Sequence, residues 1–176
     1  ETVKNPLPPF ITSTLQQAAN RRLGYSAKQT MSVAQKLYEM GFITYMRTDS
    51  LNLSKKFKNE TVQYISEQLG EKYIAKSGRA FKNKSKNAQE AHEAIRPTLA
   101  FNTPEKIESK LDKIQFKLYQ LIWQRTIASQ MAGAILDTVA VDILAGEKQE
   151  YLFKANGQTV KFKGYLEVYP EKVSEN

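Results

Sequence analysis

The sequence predicts an α+β protein: a mainly helical portion with winged-helix-like topology, followed by a small antiparallel β-meander. Three observations predict it. Over the first three quarters of the chain, polar cap residues and glycines bracket runs of helical apolar periodicity. From Gly133 onward the pattern changes to strand-like alternation with turn signals. Near the start, two short helices joined by a Gly-containing turn precede a short extended segment, the outline of a helix-turn-helix or winged-helix unit.

Taken in order, Pro6, Pro8 and Pro9 keep the first segment extended. Ser13 with Gln16 three residues on has capping-box spacing and predicts a helix from Thr14 to about Leu23, closed by Gly24. Its last turn carries Arg21 and Arg22, which suit a helix C-terminus. Ser26 and Gln29 repeat the device for a helix over Ala27 to Met40 that stops at Gly41. Met31, Ala34, Leu37 and Tyr38 form its apolar stripe, as does Val33 with Leu37 and Met40. Gly41 to Ser50 then reads as a short strand ending in the polar turn Thr48-Asp49-Ser50. Ser54 caps a helix from about Lys55 to Leu69, with Phe57, Thr61, Ile65 and Leu69 at four-residue spacing and Gly70 at its end. Lys72 to Lys86 holds six basic residues and no acidic one, a run that suits either a solvated loop or a phosphate backbone. Thr103-Pro104 opens a short helix to Lys110. Asp112 caps a long one from Lys113 to about Met131, with Ile114, Leu118, Leu121, Ile122 and Arg125 along one side and Phe116 and Trp123 as anchors. Beyond Gly133, Ile135, Val139, Val141 and Ile143 alternate. Ala145-Gly146-Glu147-Lys148 reads as a turn, and Asn156-Gly157 as a hairpin turn. Val160, Phe162, Tyr165, Leu166 and Val168 supply the return strand and a following edge.

The chain of 176 residues carries a formal charge of +8, a balance that favours a polyanionic partner such as nucleic acid. It has no cysteine, which excludes disulfides and thiolate metal sites. No run approaches the ~18 apolar residues of a membrane span. The opening Glu-Thr-Val-Lys-Asn-Pro-Leu-Pro-Pro reads like an interdomain connection, so a piece of a longer protein is expected.

The chemistry concentrates in Gly41-Phe42-Ile43-Thr44-Tyr45-Met46-Arg47-Thr48-Asp49-Ser50. In an extended chain Ile43, Tyr45 and Arg47 share one face, and Phe42, Thr44, Met46 and Thr48 the other. A phenol is a potential nucleophile, and a guanidinium is the side chain best matched to a phosphate. Together they suit phosphodiester chemistry through a phosphotyrosine. A half-buried strand whose Tyr packs and whose Arg snorkels satisfies the same pattern. A second polar stretch, Ala88 to Thr98, holds the single histidine, His92, with Arg96 four residues later. In a helix the two would share a face and make a phosphate site, while His92 alone equally suits a hydrogen-bonded structural role. The spacing lacks the second His of a zincin.

Three stretches together resemble the type IA DNA topoisomerases, in the pattern of bacterial topoisomerase I: Pro9-Phe10-Ile11-Thr12-Ser13-Thr14-Leu15-Gln16-Gln17-Ala18-Ala19, the Gly41 to Ser50 segment, and Ala91-His92-Glu93-Ala94-Ile95-Arg96-Pro97-Thr98. They occur in the family's order, and the resemblance extends over essentially the whole chain. Met46 between the Tyr and the Arg, with His-Glu-Ala-Ile-Arg-Pro, resembles topoisomerase I rather than topoisomerase III. Reverse gyrase shares much of the pattern.

The resemblance implies that residues 1–12 are an extended connection from an arch domain. Residues 13–132 would be a helical, CAP-like lid bearing the nucleophile, and residues 133–176 an antiparallel β segment of the arch. It implies Tyr45 and Arg47 as catalytic residues, with His92 and Arg96 as DNA-phosphate ligands. The reaction would cut one strand through a 5′-phosphotyrosine, pass a strand and reseal, relaxing negative supercoils without ATP. The expected partners are single-stranded or underwound DNA and the metal-binding domain of the same parent chain. That domain is expected to supply Mg2+, since no Asp-x-Asp pattern occurs here, so this stretch alone is expected to be inactive in relaxation. No membrane partner and a cytoplasmic, nucleoid-associated location are expected. A non-enzymatic winged-helix DNA-binding module, or the matching piece of a reverse gyrase, is the alternative.

Overall fold

A computed structural model describes residues 1–75, 78–81, 93–146, 148 and 150–171. The first helix, α1 (Thr12–Leu23), starts two residues earlier than the expected Thr14. Ile11 is the N-cap, and its N–H donates to Thr14 Oγ1 at 3.0 Å. α2 (Ala27–Glu39) starts as expected, with Ser26 Oγ accepting from Gln29 N at 3.1 Å. It buries Val33, Ala34 and Leu37 but leaves Tyr38, and Met40 at its C-cap, exposed, so both fall off the expected stripes. Gly41 ends it in the left-handed region at φ 77°, a conformation that a side chain disfavours. α3 (Lys55–Gln68) is capped by Ser54 and buries Phe57, Thr61 and Ile65.

α4 (Pro104–Ile107) is a single turn with proline in its first positions. α5 (Lys113–Ser129) is the hub. Asp112 Oδ1 accepts from Ile114 N and Gln115 N, and Gln115 Oε1 accepts from Asp112 N, a complete capping box. Ile114 is exposed, while Leu118, Tyr119, Leu121, Ile122, Trp123 and Ile127 are buried. Trp123 and Tyr119 satisfy their polar atoms on the loop before α4, through Nε1 to Ala100 O at 2.9 Å and the hydroxyl to Asn102 O at 2.6 Å. Apolar side chains of α1, α2, α3 and α5 form one cluster with Phe10, Ile43, Met46 and Ile95.

The sheet has three strands among the described residues, in the order β1 (Thr2–Lys4), β2 (Ala134–Ala145), β3 (Tyr151–Phe162), all antiparallel. Two expectations are corrected here. Asn156-Gly157 is not a hairpin turn: both residues lie mid-ladder, opposite Ala140 and Val139. The turn is the one at Ala145-Gly146, where Gly146 takes φ 93°. A turn there lets two twelve-residue strands pair along their length, whereas one at Asn156 would leave β2 largely unpaired. The third strand comes from the N-terminus, with Val3 opposite Ile135. Tyr165 and Leu166 instead lie in a 3-10 turn, Gly164–Glu167. The near end of the sheet joins the helical core through Ala134 and Tyr165. Its far end projects, leaving Val141, Ile143, Tyr151 and Phe153 exposed.

Candidate active site

The segment after α2 is extended but pairs with no strand. Its only ladder contact among the described residues is an isolated bridge, Ile43 to Pro97. Burial nevertheless alternates: Met46, Thr48 and Ser50 point inward, and Tyr45, Arg47 and Asp49 outward. The shared outward face of Tyr45 and Arg47 is as expected. Ile43 is not on it, being 1% exposed in the core.

A strand is unnecessary because side-chain hydroxyls and two neighbouring segments hold the backbone. On one side, Thr44 N donates to Arg96 O at 2.9 Å and Thr98 N to Phe42 O at 2.9 Å. Thr44 Oγ1 donates to Ala94 O at 2.7 Å and accepts from Arg96 N at 3.0 Å. On the other side, Thr12 at the start of α1 brackets the residues around Arg47. Its N–H donates to Thr48 O at 3.0 Å, and its Oγ1 donates to Met46 O at 2.8 Å and accepts from Thr48 N at 3.0 Å. The turn closes locally: Thr48 Oγ1 accepts from Ser50 N and Ser50 Oγ from Asn52 N, the side-chain turn chemistry expected of such residues.

Tyr45 is 44% exposed, and its hydroxyl has no bond to another described residue. Its ring meets Tyr38, the penultimate residue of α2, edge-to-face at 5.3 Å between centroids. This contact orients the phenol and leaves its oxygen in solvent. Arg47 is likewise exposed and makes no ion pair among the described residues. A phenol and a guanidinium, both exposed and unpaired among the described residues, on one face of a fastened backbone, can receive a phosphodiester.

Arg96 is placed differently. Its side chain is 13% exposed, with Nη2 at 2.5 Å and Nε at 2.7 Å from Glu93 Oε2. Nη1 donates to Pro97 O and Thr98 O, and the guanidinium lies 4.3 Å from the centre of the Phe57 ring. Glu93 Oε1 in turn accepts from Ser54 N at 2.7 Å. Residues 93–98 are extended, with an isolated bridge from Ile95 to Phe10, so the helical face proposed for this stretch does not form over them. His92 and residues 76–77 and 82–86 of the Lys72 to Lys86 run lie outside the described residues.

Sequence reasoning missed Thr12, Thr44, Tyr38 and Glu93 as parts of the site. The first two looked like ordinary polar residues beside a helix and a strand, and nothing in the one-dimensional pattern pairs Thr12 with Thr48. Among the described residues no group of three or more His, Asp or Glu could hold a metal ion. No described helix is long and apolar enough to cross a membrane.

The whole chain, residues 1–176, matches the profile of the bacterial family described as DNA topoisomerase. It belongs to the bacterial DNA topoisomerases, of the type IA class. The chain is 52% identical to DNA topoisomerase 1 of Rickettsia felis over 98% of its length. It is 52% identical to that of Rickettsia conorii over 97%. In both cases the match spans only 23% of the relative's length. The fold matches full-length topoisomerase I from Thermotoga maritima with a TM-score of 0.84 and 39% identity, covering 97% of this chain and 28% of that one.

Proposed function

We propose that this chain is the nucleophile-bearing part of a type IA topoisomerase and that Tyr45 is the nucleophile. The observation that carries this reading is the shared outward face of Tyr45 and Arg47, on a backbone fastened by Thr12 on one side and by residues 94–98 on the other. The phenol oxygen attacks a DNA phosphorus in line. Its P–O bond forms as the bond to the 3′ oxygen breaks, the phenol proton leaves to solvent, and the 3′ oxygen takes up a proton from solvent and departs as a hydroxyl. The 5′-phosphotyrosyl bond conserves the free energy of the broken bond, so the reverse attack by the 3′ hydroxyl needs no ATP.

A free phenol has a pKa near 10, so attack at neutral pH needs nearby positive charge. Arg47 supplies it, stabilising both the phenolate and the charge that develops on the phosphoryl oxygens. His92 is proposed as a ligand of a neighbouring phosphate. We assign Arg96, with its guanidinium committed to Glu93 and two carbonyls, as the residue that positions the strip pairing with Thr44 rather than as a direct phosphate ligand.

The helical portion, residues 13–132, is proposed as a winged-helix-like lid and residues 133–176 as part of the arch that carries it. The α1–turn–α2 arrangement and the separate sheet support that division. Mg2+ and strand passage are assigned to the intact protein, together with its metal-binding domain and its single-stranded or underwound DNA substrate. The isolated chain is expected to show no relaxation. The test is Tyr45→Phe in the intact protein. Covalent protein–DNA adducts, counted on denaturing gels, should vanish while oligonucleotide binding survives. Persisting adducts would exclude Tyr45.

A further inference from the structure

Helix α1 has a second polar face. At about 100° per residue, Gln17 and Arg21 lie about 140° and about 180° around the helix from Thr12, away from the Tyr45 segment. That face borders a cleft of about 810 Å3, within the range of ligand clefts. Gln17, Arg21, Arg22, Arg125, Tyr169 and Glu171 are among the residues that line it.

The cleft gathers more positive charge than it neutralises. Arg22 stacks on the Tyr169 ring at 3.9 Å and donates to Pro170 O at 3.2 Å. Arg125 faces the same ring at 5.4 Å, with Nε on Pro8 O at 2.7 Å and Nη1 on the Tyr169 hydroxyl at 3.3 Å. Burial lowers the Arg125 pKa, and the neighbouring charge of Arg22 acts in the same direction. Arg21 is exposed and bonded to no described residue. The carboxylate of the cleft, Glu171, is already paired with Lys4 at 2.7 Å. Three guanidiniums thus converge with no free counter-charge among the described residues lining the cleft. Both guanidiniums that contact Tyr169 leave N–H groups uncommitted, and a phosphate presents several acceptor oxygens to such forks. Because Tyr169 is already covered by cations, the cleft offers no free aromatic platform for a base.

We propose that this cleft is a second DNA site, which binds backbone phosphates of a single strand apart from the segment presented to Tyr45. The proposal rests on DNA as the substrate but not on Tyr45 as the nucleophile. Its chemistry reads phosphate and not sequence. Arg21 supplies the adjustable contact, while Arg22 and Arg125 are already held in place by the walls.

The test uses the intact protein that carries this chain, in a Tyr45→Phe background so that no adduct forms. Binding of a fluorescent oligothymidylate is followed by anisotropy over a range of NaCl concentrations. Arg21→Ala should weaken binding about 3- to 10-fold at low salt and reduce the slope of log K against log salt by about 1. Arg21→Glu should do more. Lys28→Glu, which changes net charge equally on α2 outside the cleft, should leave the slope near the parent's. Inorganic phosphate at constant ionic strength should compete with the oligonucleotide in the parent and not in Arg21→Glu. An Arg21→Glu protein with the parent's affinity and slope would overturn the proposal, as would Lys28→Glu matching its loss. Phosphate that binds at Arg21 without displacing the oligonucleotide would show a free-anion site and also overturn it. If the parent itself binds no oligonucleotide, the DNA reading of the whole chain fails instead.

Discussion

Thr12→Val is the sharpest probe of the scaffold, because it removes one hydroxyl and almost no volume. That hydroxyl donates to Met46 O at 2.8 Å and accepts from Thr48 N at 3.0 Å. Met46 is fully buried and Thr48 is 8% exposed, so both backbone groups lose their partner inside the fold. An unsatisfied buried group costs about 1–3 kcal/mol. Thr12 itself is only partly buried and water can reach the vacated position, so the low end applies: about 1 kcal/mol for each group and about 2 in total. At about 2–4 °C per kcal/mol for a chain of this size, the Tm should fall by about 4–8 °C with folding retained. Catalysis should suffer more than stability. Met46 lies between Tyr45 and Arg47, and a displacement of about 1 Å at a reacting group costs up to about 100-fold in rate. Single-turnover adduct formation on a single-stranded oligonucleotide, well below the Tm, should therefore slow about 10- to 100-fold. Thr12→Ser keeps the hydroxyl and should restore most of the rate. If Thr12→Val cleaves at the parent's rate, or if Thr12→Ser is equally slow, the hydroxyl clamp does not position the nucleophile.

Arg47→Ala should lower the cleavage rate by about 100- to 1,000-fold, the range for loss of one preorganised stabilising group, with oligonucleotide affinity changed far less; an unchanged rate would make Arg47 structural. Tyr38→Ala removes the edge-to-face partner of Tyr45. Such contacts are worth about 0.5–1.5 kcal/mol, so adduct formation should slow about 2- to 10-fold through kcat rather than KM, and Tyr38→Phe should rescue it. Burial raises the Tyr165 pKa to about 12 and pushes that of Tyr119 upward as well. A phenol near pKa 10 in the unfolded chain ionises there first. Their contribution to stability is therefore complete below about pH 10 and lost as the pH rises through the folded values. Denaturant midpoints should fall between about pH 10 and 12, and a flat profile would refute the shifts.

Much of this was legible in the sequence because its cause is local. Ser26, Ser54, Asp112 and Gly41 mark helix ends by chemistry that acts within four residues. The outward pairing of Tyr45 and Arg47 follows from the two-residue period of any extended chain, whether or not a strand forms. What escaped detection depends on distance in sequence. The third strand comes from Thr2–Lys4 because that segment lies beside β2 in space, and no local rule announces a partner about 130 positions away. Asn156-Gly157 misled because a turn signal states a preference worth little against a continuous ladder. Thr12 was invisible as a site residue for the same reason: its partners are 34 and 36 positions away.

The two arginines that flank the site show why proximity in a sequence pattern does not assign a role. Arg47 and Arg96 are equally charged, yet their surroundings divide the work. To contact a phosphate, Arg96 would have to leave Glu93, the carbonyls of Pro97 and Thr98, and the face of Phe57. Abandoning a largely buried ion pair costs about 3–5 kcal/mol, and Glu93 would be left with only its bond from Ser54 N among its described partners. A phosphate contact in an open site does not offset that loss. Arg47 has no ion pair among the described residues to give up. The same pair explains why residues 94–98 stay extended without a sheet: Arg96 binds the carbonyls that follow it, and its own N–H and C=O groups are taken by Thr44. The committed guanidinium of Arg96 thus fixes the strip against which the backbone of Tyr45 is registered, and Arg47 is the one the proposed reading leaves for a phosphate.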